Sequence, residues 1–171
     1  MPSRRRAPNP RSPGLLRPED AEALWFLGDL YLIRMDGERS AGAFSFLELT
    51  IAPAPRGGAP LHIHHREDEV FYVLEGELVY QVADRKVSAP TGSAVYVPRD
   101  TVHGFSNPRA SPVRALVVIV PAGFEGLFRE LGTPTTTRTL PPAGVPTPDP
   151  GALAAAAKRY GTEVLGPPPS P

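Results

Sequence analysis

The sequence predicts an all-β sandwich or barrel, and three observations carry that prediction. Apolar and polar residues alternate in short runs between Ala23 and Val120. Turn-forming residues interrupt these runs at intervals of roughly eight to twelve residues, the rhythm of many short strands. Only after Pro121 does the apolar spacing become helical.

Taken in order, "ALWFLGDLYLIRM" predicts a strand, with Leu30, Leu32 and Arg34 alternating against Tyr31 and Ile33, and "DGERSAG" a turn. "AFSFLELTIAP" alternates next, with Phe44 and Phe46 on one phase and Leu47, Leu49 and Ile51 on the other. "APAPRGGAP" reads as a loop, "LHIHH" as a short strand and "RED" as a corner. "EVFYVLEG" is a strand ending at Glu75-Gly76, and "ELVYQVAD" is expected to pair back on it as a hairpin. "KVSAPTG", "SAVYVP", "TVHGFSN" and "VRALVVIVP" continue the rhythm. In "AGFEGLFRELG" the residues Phe124, Leu127, Phe128 and Leu131 fall at helical spacing, with Gly132 as C-cap. "TPTTTRTLPPAGVPTPDP" has no periodicity and reads as a linker. "DPGALAAAAKRYG" predicts a terminal helix, with Asp149 as N-cap and Pro150 at its first position, before an extended "PPPSP" tail. The resulting division is a Pro/Arg-rich tail over 1–22, a β domain with its following helix over 23–132, a linker over 133–148, and a helix and tail over 149–171.

At 171 residues the chain can bury one sizeable core. Its 18 basic and 18 acidic side chains cancel, so no global field steers it to nucleic acid or membranes. The chain has no cysteine, which excludes disulfides and thiolate metal sites. The arginines of "MPSRRRAPNPRSPGLLRP" precede no apolar run, and "LVVIVPAGF" is too short to span a bilayer. The expectation is a soluble, cytoplasmic protein with a solubilising N-terminal tail.

Three of the four histidines stand within "HIHH". Residues two apart in a strand face the same side, so His62 and His64 project together. Glu69 lies five residues beyond His64, and the polar corner lets it return on the next strand to face the same interior. Phe71 and Val73 share its face and would wall the pocket. His103, on a strand with Phe105, completes a set of three nitrogens and one oxygen. That set suits one divalent ion of iron, manganese, nickel, cobalt, copper or zinc. By parity His65 points away, and Glu67, Asp68 and Glu75 read as solvated.

These residues resemble the cupin family. "HIHHREDEVFYVLEG" supplies the His-x-His, Glu and Gly of the first cupin motif through His62, His64, Glu69 and Gly76. Its opening glycine is one place off, since four residues separate Gly57 from His62 where five are usual. "GSAVYVPRDTVHGFSN" supplies Gly92, Pro98, His103 and Asn107 of the second motif, with Asp100 in place of a glycine. The resemblance implies a single cupin β-barrel, a double-stranded β-helix of jelly-roll type, with short C-terminal helices. It also implies a homodimer paired through the apolar "ALWFLGDLYLIRM" segment. Within the family the chain is most similar to small bacterial proteins related to quercetin 2,3-dioxygenase. That likeness implies an oxidoreductase using dioxygen on a flavonol or other enolisable aromatic. His62, His64, Glu69 and His103 would hold the metal, Glu69 would double as catalytic base, and Phe46, Phe71, Tyr80, Tyr96 and Phe105 would wall the pocket. Two other readings stay open: an isomerase or cyclase that needs no oxygen, and a module that binds a small molecule without turnover. No recognition-helix pair lies outside the β region, so nucleic acid is not an expected partner.

Overall fold

The computed structural model describes residues 14–170. The chain forms the strands β1 (Glu22–Phe26), β2 (Asp29–Met35), β3 (Ser45–Ile51), β4 (Gly58–His64), β5 (Asp68–Glu75), β6 (Glu77–Val82), β7 (Arg85–Pro90), β8 (Ala94–Val97), β9 (His103–Ser106), β10 (Val113–Val120), β11 (Thr133–Pro134) and β12 (Thr162–Gly166). Three helices join them: the single turn α1 (Gly37–Ser40), α2 (Glu125–Leu131) and α3 (Pro150–Arg159). Two sheets face each other, one ordered β11-β1-β2-β3-β10-β5-β8 and the other β12-β4-β9-β6-β7. This is the jelly-roll barrel that the resemblance implies, within the all-β class that the alternating pattern predicts. No helix among the described residues is long and apolar enough to cross a membrane.

The core lies between the sheets, where period-2 alternation brings one side of each strand inward. On β3 the buried set is Ser45, Leu47, Leu49 and Ile51, which turns Phe46 outward. On β10 it is Val113, Ala115, Val117 and Ile119.

Two expectations about connections are corrected. The "ALWFLGDLYLIRM" segment is a hairpin, not one strand, because Leu27 and Gly28 both take positive φ (51° and 86°). Such a two-residue turn matches the natural twist of paired strands. Strands β5 and β6 do not pair as a hairpin either. β5 pairs with β10 and β8, β6 with β7 and β9, so the turn crosses from one sheet to the other. Gly76 makes that corner at φ 89°, where a Cβ would stand 2.8 Å from Val113 Cγ2.

The C-terminal third returns to the barrel. Residues 135–141 lie against the outer side of the β1–β2 hairpin. Thr135 N–H donates to Ala23 O (3.0 Å), Trp25 Nε1–H to Thr139 O (2.8 Å) and Arg138 to Ala21 O (2.9 Å). Leu30 and Leu32 are buried in a small cluster with Ala21 and Ala23, against which Trp25 packs. α3 begins where predicted, with Asp149 Oδ1 accepting from the N–H groups of Gly151 and Ala152, each at 3.0 Å. After it the chain adds β12 to the edge of the smaller sheet, where the sequence pattern gives only a tail.

Candidate metal centre

The site forms between the sheets. His62 and His64 come from β4 and His103 from β9, paired in register with His62, while Glu69 projects from β5 in the opposite sheet. The corner between β4 and β5 is therefore a crossing of the barrel wall, which explains the odd spacing between His64 and Glu69. One ligand atom from each of the four residues can be chosen so that all lie within 4.8 Å of one another. His64, Glu69 and His103 are buried, and His62 is 9% exposed.

Hydrogen bonding fixes which nitrogen of each ring faces inward. His62 Nδ1 lies 2.7 Å from Pro60 O, and His103 Nδ1 lies 3.0 Å from Thr101 O. A carbonyl only accepts, so both Nδ1 atoms carry hydrogen. His64 Nδ1 lies 3.2 Å from the Glu67 carboxylate, and the same holds. In the neutral rings all three Nε2 atoms are therefore lone pairs turned inward. His62 Nε2 and His64 Nε2 stand 3.1 Å apart, and His103 Nε2 is 2.9 Å from Glu69 Oε2. Acceptors so close need a proton or a cation between them. The donor set, three imidazole nitrogens and a carboxylate oxygen, fits a divalent transition ion.

The electrostatics of the metal-free cluster agree. Burial, then the neighbouring His103 and His64, push His62 down to about 3, so it is neutral and able to ligate. Burial alone would raise Glu69, but the histidines around it outweigh that and hold it at about 2. Burial works against protonation of His103, yet the Glu69 hydrogen bond and charge raise its pKa above the ordinary value.

A cleft of about 60 Å³ opens beside the donors. His62, Glu69, Phe71 and Phe105 line it, with Tyr31 and Leu49 from the barrel, Phe124 and Phe128 from the α2 region, Leu153 and Ala157 from α3, and Thr162 and Val164 from β12. No lysine or arginine lines it. Tyr31 is 4% exposed and lines the cleft. Burial, then the charges of Asp29 and Glu69, raise its pKa, so it remains a phenol and a donor.

Of the expected pocket residues, Phe71 and Phe105 line the cleft and four do not. Phe46 faces outward because Leu47, Leu49 and Ile51 take the inner phase of β3. Tyr96 is 60% exposed on the outer face of β8. Val73 is buried, but belongs to the core beyond the cleft. Tyr80 packs behind Phe71 and Phe105, its ring centroid 5.3 and 5.4 Å from theirs.

Two functional neighbours escape the sequence reading. Glu67 is 4% exposed, not solvated, and orients His64. Thr162 places its Oγ1 3.2 Å from the same His64 Nδ1. An acid three residues after a histidine is a faint local signal for Glu67, whereas nothing near Thr162 in sequence points to the site. His65 turns outward, with Nδ1 2.6 Å from Asp100 Oδ1. Asp100 itself takes the left-handed conformation (φ 62°) where the motif expects glycine, which Asp tolerates better than most residues. Asn107 ties its loop by donating to Ile51 O (3.2 Å) and Ser111 O (2.9 Å).

Comparison with known proteins agrees with this architecture. Residues 49–119 match the Cupin domain family. Quercetin 2,3-dioxygenase from Bacillus subtilis (strain 168) is 31% identical over 80 residues, which cover 47% of this chain and 23% of that protein. The chain thus matches less than a quarter of the dioxygenase's length. Among solved structures, the polyketide cyclase RemF from Streptomyces resistomycificus is 27% identical, with a TM-score of 0.54 over 64% of this chain and 80% of its own. An RmlC-like cupin from Shewanella frigidimarina NCIMB 400 shares the fold at 19% identity, with a TM-score of 0.57 over 67% of this chain and 96% of its own. Barrel, motifs and matches agree on a cupin domain over residues 49–119.

Proposed function

We propose that this protein is a metal-dependent enzyme acting on an enolisable aromatic molecule, as a dioxygenase of the quercetinase type. The observation that carries this reading is the cleft itself: four converging donors at one side and apolar walls elsewhere, with no cationic side chain. Such walls suit a planar aromatic and offer nothing to hold a phosphate or carboxylate. The partial likeness to quercetin 2,3-dioxygenase supports the same substrate class.

His62, His64, Glu69 and His103 would hold the ion, which would supply Lewis acidity and positions for an ionised substrate oxygen or dioxygen. The chain's own contributions are orientation, exclusion of water and one proton donor. Phe71, Phe105 and Phe124 confine the ring, and the Tyr31 hydroxyl can donate to a second substrate oxygen. Glu69 fits a ligand better than a base, because ligation lowers a carboxylate's affinity for a proton.

The cyclase reading draws on RemF, at 27% identity, and shares the metal and the apolar cleft. Oxygen separates the two. Metal-loaded protein incubated with quercetin and related flavonols should consume substrate in air, with carbon monoxide released, and stop under nitrogen. Consumption under nitrogen at the aerobic rate would contradict the dioxygenase assignment.

A further inference from the structure

The C-terminal strand β12 runs antiparallel to β4, with Thr162 opposite His64 and Val164 opposite His62. Thr162 is 3% exposed, and its Oγ1 shares His64 Nδ1 with Glu67 Oε2, both at 3.2 Å. The segment that carries Thr162 also walls the cleft, since Leu153, Ala157 and Val164 line it, Val164 beside His62. We propose that Pro150–Gly166 is a cover whose docking is coupled to metal binding, with Thr162 as the positioning residue that links them. This rests on reading the four donors as a metal centre.

The coupling follows from the two ends of one imidazole. His64 ligates through Nε2 only if the ring is held so that Nε2 faces the cluster, and the ring is held by what Nδ1–H meets outside. Glu67 meets it from the corner on β4's own side, but the Thr162 oxygen arrives only when β12 is docked. An ion fixing the ring from within therefore favours the docked strand, and by reciprocity the docked strand tightens the ion. His65 N–H adds a backbone bond of 2.9 Å to Gly161 O at the same junction.

The cover is built to part from the barrel more readily than the rest. Among the described residues β12 is the edge strand of its sheet, with β4 as its one ladder partner. α3 buries only Leu153, Ala156 and Ala157, a small apolar area for a helix. Elements with little buried area and one open edge lie at the low end of local stability. Opening is also required by size. The cleft holds about 60 Å³, well under the roughly 150 Å³ that accommodates a benzene ring. An aromatic substrate enters only if the cover lifts or shifts.

The test uses metal alone as the probe, so it does not depend on the substrate. The wild-type chain, Thr162→Val and Thr162→Ser are titrated with Co²⁺, and hydrogen exchange of residues 150–166 is followed with and without the ion. Thr162→Val removes the hydroxyl at nearly constant shape, and outer partners of ligating histidines typically contribute ~10–100-fold in metal affinity. The expected result is a loss of that order in Thr162→Val, recovery in Thr162→Ser, and slower exchange of β12 and α3 in wild type when Co²⁺ is added. Unchanged Co²⁺ affinity in Thr162→Val, or exchange in 150–166 indifferent to the ion, would overturn the coupling while leaving the metal centre intact. Wild-type protein that binds no Co²⁺ would overturn the metal centre and the coupling with it.

Discussion

The β4–β5 corner and the C-terminal segment converge on one histidine, but they are built by different rules. The corner is local: His62 and His64 share a face because they are two apart on a strand, and Glu69 faces them because the chain crosses from one sheet to the other. The C-terminal segment is remote: Thr162 stands 98 residues from His64 in sequence and reaches it only through the pairing of β12 with β4. The corner carries donor atoms that touch the site's interior, whereas the segment supplies walls and an outside support. Chemistry here is encoded in short range, and access to it in long range.

The strongest perturbation is at the packing that joins α2 to the β1–β2 hairpin beneath the cleft. Phe128 meets Phe26, Tyr31 and Phe124 with ring centroids 5.4, 4.7 and 5.2 Å away, under the cleft. Phe128→Ala should cost about 3–5 kcal/mol, toward the lower end because the site already adjoins open space. Urea unfolding measures it. A loss below about 1 kcal/mol would mean that this aromatic cluster does not hold α2 against the barrel.

A smaller effect is expected where the corner strand begins. Asp29 is fully buried and accepts from Ala52 N–H (2.8 Å) and Gly58 N–H (3.0 Å), which fixes the entry to β4. A Cβ on Gly57 would lie 2.2 Å from Asp29 Oδ1, so the glycine that opens the first motif is required by this carboxylate. Asp29→Ala should cost about 1–3 kcal/mol for each N–H left unpaired. Burial, opposed by those two N–H groups and by Arg56, raises the Asp29 pKa from 3.8 to about 7. Since the folded value lies above the unfolded one, its protonated form contributes stability that is complete below pH 3.8 and is lost as pH rises to about 7. The variant should lack that slope, and unfolding curves across this window would show whether it does.

The smallest effect belongs to the residue next to the ligands. His65 is exposed and paired only with Asp100 and Glu163 at the surface, so His65→Ala should leave the thermal midpoint close to wild type.

The sequence makes the inner face of the corner legible because strand parity and motif spacing are both local properties. His62, His64, Glu69 and His103 are all named by them, and the structure brings all four together. Parity cannot say which of two apolar phases turns inward, so Phe46 is misplaced on β3. It also cannot report what lies across a turn, so Leu27–Gly28 is missed as a hairpin turn and Glu67 as a buried partner of His64. Proline-rich stretches read as linkers because they lack periodicity. Residues 135–141 nonetheless hydrogen-bond along β1, which needs unpaired strand groups and no periodicity of their own.

Metal content compared between His103→Ala and His65→Ala tests the central claim most directly. Purified proteins loaded with a divalent ion, dialysed, and measured by elemental analysis should carry about one ion per chain in wild type and in His65→Ala, and far less in His103→Ala. Equal metal in the two variants would contradict the four-residue centre on which the account stands.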